Sequence, residues 1–202
     1  MKAIALTFLA LVVSLPLCAA VISSAERLDS TGVNPTFLLT HSADNFRSHL
    51  PIYYDYSFTY RNVPGYLLGA DSVKTRYGDS QDADYRLRLT LDVPATLFLI
   101  IDDRIEDIAA TMPWLATMGF VDTGDNADYL YSSSYVRTLS IYRADFPAGD
   151  VVLPEQNSPL VATERGGMYV VGAVSNIPEP GAALLLLASG GIWMRRRARH
   201  HA

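Results

Sequence analysis

The sequence predicts a mainly β protein built as a single antiparallel β-sandwich, jelly-roll-like in form, over residues 21–177. Three observations carry that reading. Short segments rich in Tyr, Val, Ile and Leu recur through the middle of the chain. One of them alternates apolar and polar residues without a break. Clusters of Gly, Pro, Asn and Asp separate the segments and carry turn chemistry. The stretch is long enough to bury one ordinary core.

The elements follow in order. Residues 52–60 are aromatic and β-branched, and a strand there would place Tyr54, Tyr56, Phe58 and Tyr60 on one face. Residues 85–91 alternate strictly, so Leu87, Leu89 and Leu91 face the core while Arg86 and Arg88 face water. Pro94 punctuates, and the continuous apolar run 95–101 suits a central strand. Residues 104–111 give one short helix, with Ile105 and Ile108 three apart and Pro113 closing it. Residues 135–142, 151–153 and 168–174 complete the strands. Turns are expected at 62–65, 122–126 and 146–150.

Both ends read as addresses. Met1-Lys2 precedes an apolar run, Pro16 breaks it, and Cys18 and Ala20 place small residues at −3 and −1. Residues 1–20 are therefore read as a secretory signal peptide cut after Ala20, with Ser23-Ser24-Ala25 as a second possible cut site. Cys18 is the only cysteine, so the cut leaves no thiol and no disulfide. At the other end, Pro178-Glu179-Pro180 precedes a 14-residue apolar run, 181–194, and then Arg195, Arg196, Arg197 and Arg199. As a helix the run spans about 21 Å, short of a bilayer's roughly 30 Å core. The arginines place the C-terminus in the cytoplasm and residues 21–177 outside.

This tail resembles the PEP-CTERM sorting signal, with Pro178, Glu179, Pro180, Arg195, Arg196 and Arg197 as its motif residues. The resemblance covers residues 178–202. It implies an exosortase as processing partner, in Gram-negative-type bacteria that make exopolysaccharide. It also implies export through the inner membrane, transient anchoring by the C-terminal transmembrane segment, and then a cell-surface or extracellular location. A second resemblance, to galactose-binding-like sandwiches, covers part of the middle. It rests on Ile101-Asp102-Asp103-Arg104, Pro113-Trp114-Leu115 with Gly119-Phe120, residues 146–153, and Met168-Tyr169-Val170-Val171.

Charge narrows the function classes. The stretch 21–180 holds all 21 acidic residues but only 11 of the 16 basic ones, net −10. A general nucleic-acid binder needs a basic face, so nucleic acid is excluded as a partner. Asp79, Asp82 and Asp84, or Asp122, Asp125 and Asp128, offer hard oxygen ligands that suit Ca²⁺. Their spacing is not that of an EF-hand, and no other cofactor is expected. Asp102, Asp103, Glu106 and Asp107 follow the apolar strand, but Arg104 sits among them and a solvated turn is the simpler reading. His41 and His49 flank Asp44 without a clear third metal ligand. No catalytic residue is assigned. All twelve tyrosines lie in the middle, and Tyr53, Tyr54, Tyr129, Tyr131, Tyr135 and Trp114 are candidates to stack on sugar rings. The expected protein is a non-enzymatic, adhesive or carbohydrate-binding module linked to exopolysaccharide. The alternatives are a lyase or glycosidase acting on polysaccharide, or a purely structural surface protein.

Overall fold

The apolar runs and alternations become ten strands among the residues that the computed structural model describes, which are 20–28, 38–105, 107–156 and 166–177. They are β1 (Ile22–Arg27), β2 (Leu38–Thr40), β3 (Thr59–Asn62), β4 (Asp71–Lys74), β5 (Leu87–Leu91), β6 (Ala95–Asp102), β7 (Val121–Ser132), β8 (Tyr135–Phe146), β9 (Gly149–Leu153) and β10 (Val170–Ser175). Two single helical turns, α1 (Ile108–Thr111) and α2 (Trp114–Thr117), sit between β6 and β7. The strands form a sheet of three, β1-β5-β9, and a sheet of seven, β2-β4-β10-β6-β8-β7-β3. Every pairing is antiparallel. These strands lie in the compact unit Ala20–Ile177. Met1–Ala19 and Pro178–Ala202, which hold nearly all of the signal-peptide reading and the whole sorting tail, lie outside the described residues. No helix among the described residues is long and apolar enough to cross a membrane.

Strand β6 explains the layering. It is the middle strand of the large sheet, and its two faces enter two different cores. Leu97, Leu99 and Ile101 pack with Ile22, Leu87, Leu89, Leu91, Val151 and Leu153 of the small sheet. Phe98 and Ile100 pack on the opposite side with Phe46, Ile52, Leu67, Tyr129 and Ile141. A strand buried on both faces reads as a continuous apolar run, whereas β5, with one face in water, alternates. Each fully buried Leu or Ile here stabilises the fold by about 1.5–3 kcal/mol. The outer face of the large sheet is covered by segment 41–58 and the short 3-10 helix Gly65–Leu67.

Several expectations change. The stretch 52–60 is not one strand, because only Thr59–Asn62 pairs with β7. Ile52 and Tyr53 are consecutive and both buried, which a strand with one face in water forbids. Their backbone is satisfied otherwise: the Ile52 N–H donates to the Phe58 carbonyl, and the Tyr54 N–H to the Thr75 carbonyl. The expected turn at 122–126 is a bulge inside β7, where the register jumps from Asp122↔Tyr142 to Asn126↔Ser140. Gly124 supplies the positive φ of 74° that the bulge requires. The expected helix at 104–111 shrinks to α1, whose start is capped by Asp107 accepting the Ala110 N–H. The ten strands divide three and seven, where a jelly roll has eight.

Gly167 marks a close approach. A Cβ there would lie 2.6 Å from Tyr53 Cζ and 2.7 Å from Tyr77 Cδ2. Tyr53 is fully enclosed and has nowhere to go. Gly167→Ala is expected to lower the melting temperature by several degrees, the range of a 1–3 kcal/mol overpacking cost. Gly78→Ala, where a Cβ meets open space, is the control and stays near wild type by calorimetry.

Candidate functional site

The candidate site is an aromatic and arginine surface built where β6 ends beside the β7–β8 hairpin. Its foundation is Asp102, the last residue of β6, which is 1% exposed. Arg104 folds back on it, with Nε 2.9 Å from Oδ1 and Nη2 2.5 Å from Oδ2. The Tyr129 hydroxyl donates to Oδ2 at 2.8 Å, and the Gly167 N–H reaches the same oxygen at 3.3 Å. Arg104 Nη2 also donates to the Tyr77 hydroxyl at 2.9 Å. Burial by itself would raise the Asp102 carboxyl. The Arg104 hydrogen bonds and charge, with the Tyr129 hydroxyl, outweigh burial and hold it below the usual carboxylate value. Burial and the Asp102 charge push the Tyr129 hydroxyl well up, so it stays a neutral donor.

The aromatic layer stands on this foundation. Tyr129 lies on the core face of β7, and two residues on, Tyr131 emerges from the same face toward solvent, 40% exposed. Its ring centroid is 4.8 Å from Phe58 and 6.4 Å from Tyr135, which is 54% exposed. Tyr56, 48% exposed, stacks on Phe58 at 4.9 Å and tilts against Tyr77 at 4.8 Å. The Arg137 guanidinium carbon lies 4.8 Å from the Tyr131 centroid and 4.9 Å from that of Tyr135. Arg104 lies 5.8 Å from both Tyr77 and Tyr131. Each such cation–π contact is worth about 0.5–2 kcal/mol. The result is a row of ring faces and edges with cationic groups set among them, and it can stack a flat or ring-shaped ligand.

Of the six aromatic candidates, Tyr131 and Tyr135 belong to this surface. Tyr53 and Tyr129 are buried in the core beneath it. Trp114 is half-buried, donates its indole N–H to the Glu155 carbonyl at 2.8 Å, and packs on Phe120 and Tyr169. Tyr54 is half-buried and makes no ring contact in this row. Sequence reasoning missed Tyr56 as a site residue, along with Phe58, Tyr77, Arg104 and Arg137. Arg137 had one legible signal, its place two residues after Tyr135 on the same strand.

The aspartates of the two expected calcium clusters have partners within the chain. Arg27 enters the first and bonds Asp79 at 2.9 Å and Asp82 through its other amine, while stacking 5.0 Å from the Tyr85 centroid. One cation from this chain thus takes the place that a metal would occupy. In the second, Asp122 accepts the Gly124 N–H, Asp125 the Tyr66 hydroxyl and Asp128 the Thr138 hydroxyl, so the three serve separate partners. Among the described residues no three His, Cys, Asp or Glu side chains gather as a metal site would need. His41 pairs instead with Asp71, at 3.0 Å. At the opposite end of β6 an open polar cleft of about 340 Å³ is lined by Thr96, Val121, Arg143, Asp145 and Asn176. Hydrogen bonds from the Thr96 hydroxyl, then the Asn176 amide, hold the Asp145 carboxyl low.

No family model and no curated protein matches the sequence. Solved structures share the fold. A β-glucuronidase from glycoside hydrolase family 2 superposes with a TM-score of 0.58 at 18% identity, over 75% of this chain and 14% of that one. An enzyme of glycoside hydrolase family 138 that targets the pectin rhamnogalacturonan II superposes with a TM-score of 0.50 at 10% identity, over 82% and 18%. The chain thus spans less than a fifth of either enzyme. The likeness is one of fold, a β-sandwich compatible with the galactose-binding-like type.

The Asp102–Arg104 pair has a pH signature. Because the folded carboxyl lies below its unfolded value of about 3.9, its stabilisation is present above about pH 4. It is lost as pH falls through the folded value. Asp102→Asn leaves Arg104 buried without its carboxylate and is expected to cost about 3–5 kcal/mol at neutral pH. Urea unfolding from pH 7 to pH 2 checks this: the gap between wild type and variant narrows below about pH 4.

Proposed function

We propose that the protein is a non-catalytic carbohydrate-binding or adhesive module of the bacterial surface, linked to exopolysaccharide and sorted through its C-terminal tail. The observation that carries this reading is the surface row of Tyr56, Tyr131 and Tyr135 with Arg137. A pyranose ring has an apolar C–H face and a rim of hydroxyls. Exposed tyrosine rings stack the face, and the guanidinium and tyrosine hydroxyls bond the rim. The row is already organised by ring–ring contacts and by the buried Asp102–Arg104 pair beneath it, so little freedom is lost on binding. Two enzymes that act on glucuronides or pectin carry the same sandwich as a small part of their length, which agrees with a carbohydrate-related module.

In this reading the tail provides delivery. An exosortase recognises Pro178-Glu179-Pro180 outside the membrane, the apolar run holds the protein there transiently, and Arg195, Arg196 and Arg197 stay in the cytoplasm. Enzymatic activity on polysaccharide is the weaker alternative. Asp102, the carboxylate at the end of the central strand, is neutralised by Arg104, and Asp103 accepts the Ser140 hydroxyl at 2.6 Å.

Two measurements test the reading. Wild-type protein is retained on immobilised exopolysaccharide, and Tyr131→Ala or Tyr135→Ala weakens binding about 2- to 10-fold, the worth of one aromatic contact. Absence of wild-type retention argues for a purely structural protein. Mass spectrometry of the protein from strains with and without exosortase finds the tail removed only when the enzyme is present. An intact tail in both strains overturns the sorting assignment.

A further inference from the structure

Asp71 occupies an unusual position. It opens β4, is 8% exposed, and aims one oxygen at the backbone of another strand's first residues. Its Oδ2 accepts the Val21 N–H at 2.5 Å and the Ile22 N–H at 2.9 Å. Its Oδ1 faces His41 Nδ1 at 3.0 Å. Val21 is fixed on its other side too, since its carbonyl accepts the Asp92 N–H at 3.0 Å. Val21 and Ile22 are both core residues, 4% and 0% exposed, packed with Val73 and Leu91. A buried carboxylate therefore sits against the nitrogen of the residue that follows Ala20, the expected cut.

We propose that cleavage between Ala20 and Val21 creates an N-terminal ammonium that Asp71 binds, so that processing installs a buried ion pair in the exported domain. It rests on the export reading. Water hydrolyses the amide bond: the carbonyl carbon of Ala20 takes the oxygen and leaves as a carboxylate on the released peptide. The Val21 nitrogen leaves as an ammonium, its extra protons coming from that water and from the Ala20 acid group as it ionises. In the precursor the nitrogen offers Asp71 one N–H of a neutral amide. After cleavage it offers a full charge and further donors at the same place, a charge-assisted bond roughly twice as strong as a neutral one. Before cleavage His41 is, among the described residues, the basic side chain paired with Asp71.

The same geometry separates the two cut sites. A cut after Ala25 would remove Val21 and Ile22 from the core, strip β1 of its pairings Ile22↔Leu91 and Ser24↔Thr90, and leave Asp71 without either N–H. A cut after Ala20 leaves Val21, Ile22 and the pairings of β1 in place.

The full gene is expressed in an exporting host, and the released protein is examined by mass spectrometry. Val21 as first residue is expected. An uncleaved N-terminus overturns this proposal together with export, whereas a start at Glu26 overturns it and leaves export standing. A second gene inserts Gly-Ser between Ala20 and Val21, so that the Val21 nitrogen remains an amide after cleavage. Asp71→Asn is expected to raise the unfolding equilibrium constant at least about tenfold more in the Val21-start protein than in the extended one. Equal effects overturn the ion pair. Acylation of the α-amine at neutral pH needs no Asp71 variant: it is slow for Val21 and fast for the inserted Gly. Equal rates overturn the proposal.

Discussion

The burial of β6 on both faces is the constraint from which the architecture follows. A strand with Leu97, Leu99 and Ile101 on one side and Phe98 and Ile100 on the other cannot stop at a two-layer arrangement with one wet face. The three-stranded sheet answers one side. The other side is answered by irregular chain, segment 41–58 and the short 3-10 helix, which carry Phe46, Ile52, Tyr53 and Leu67 inward. That irregular cover ends before the sheet does. Where it ends, Tyr56, Tyr131 and Tyr135 pass from core into solvent. The candidate site is thus the exposed margin of the second core.

Asp102 sits at that margin, on the same face as Phe98 and Ile100. The strand's apolar run closes on a carboxylate, and a buried carboxylate requires a cation. Arg104, two residues on, supplies it and in doing so reaches the hydroxyls of Tyr77 and Tyr129. One electrostatic requirement therefore ties the end of β6, the β7 strand and the segment Tyr77–Gln81 to a common point. The acidic run 102–107, read from the sequence as a solvated turn, opens on Asp102, which is the buried end of β6.

Much of the sheet was legible and much of the site was not, for different physical reasons. Period-two alternation found Leu87, Leu89 and Leu91, and an unbroken apolar run found β6, because burial acts directly on those side chains. Strand β7 was hidden because Asp122, Gly124 and Asn126 are turn residues, and a bulge uses the same backbone freedom as a turn. The aspartates at 79 and 82 read as metal ligands because their cation, Arg27, is more than 50 residues away in sequence. Tyr53 and Tyr135 are the same residue type, and both fall in stretches that the sequence reads as strand. Which one is covered depends on long-range packing that no local pattern encodes.

Trp114 gives this architecture an optical handle. The chain has two tryptophans, and the other, Trp193, lies in the C-terminal tail. A protein that has lost its tail emits from Trp114 alone, whose indole is held by the Glu155 carbonyl and walled by Phe120 and Tyr169. Its fluorescence then becomes a single-site report on how α2 seats against the residue that leads into β10, with the twelve tyrosines as donors feeding it.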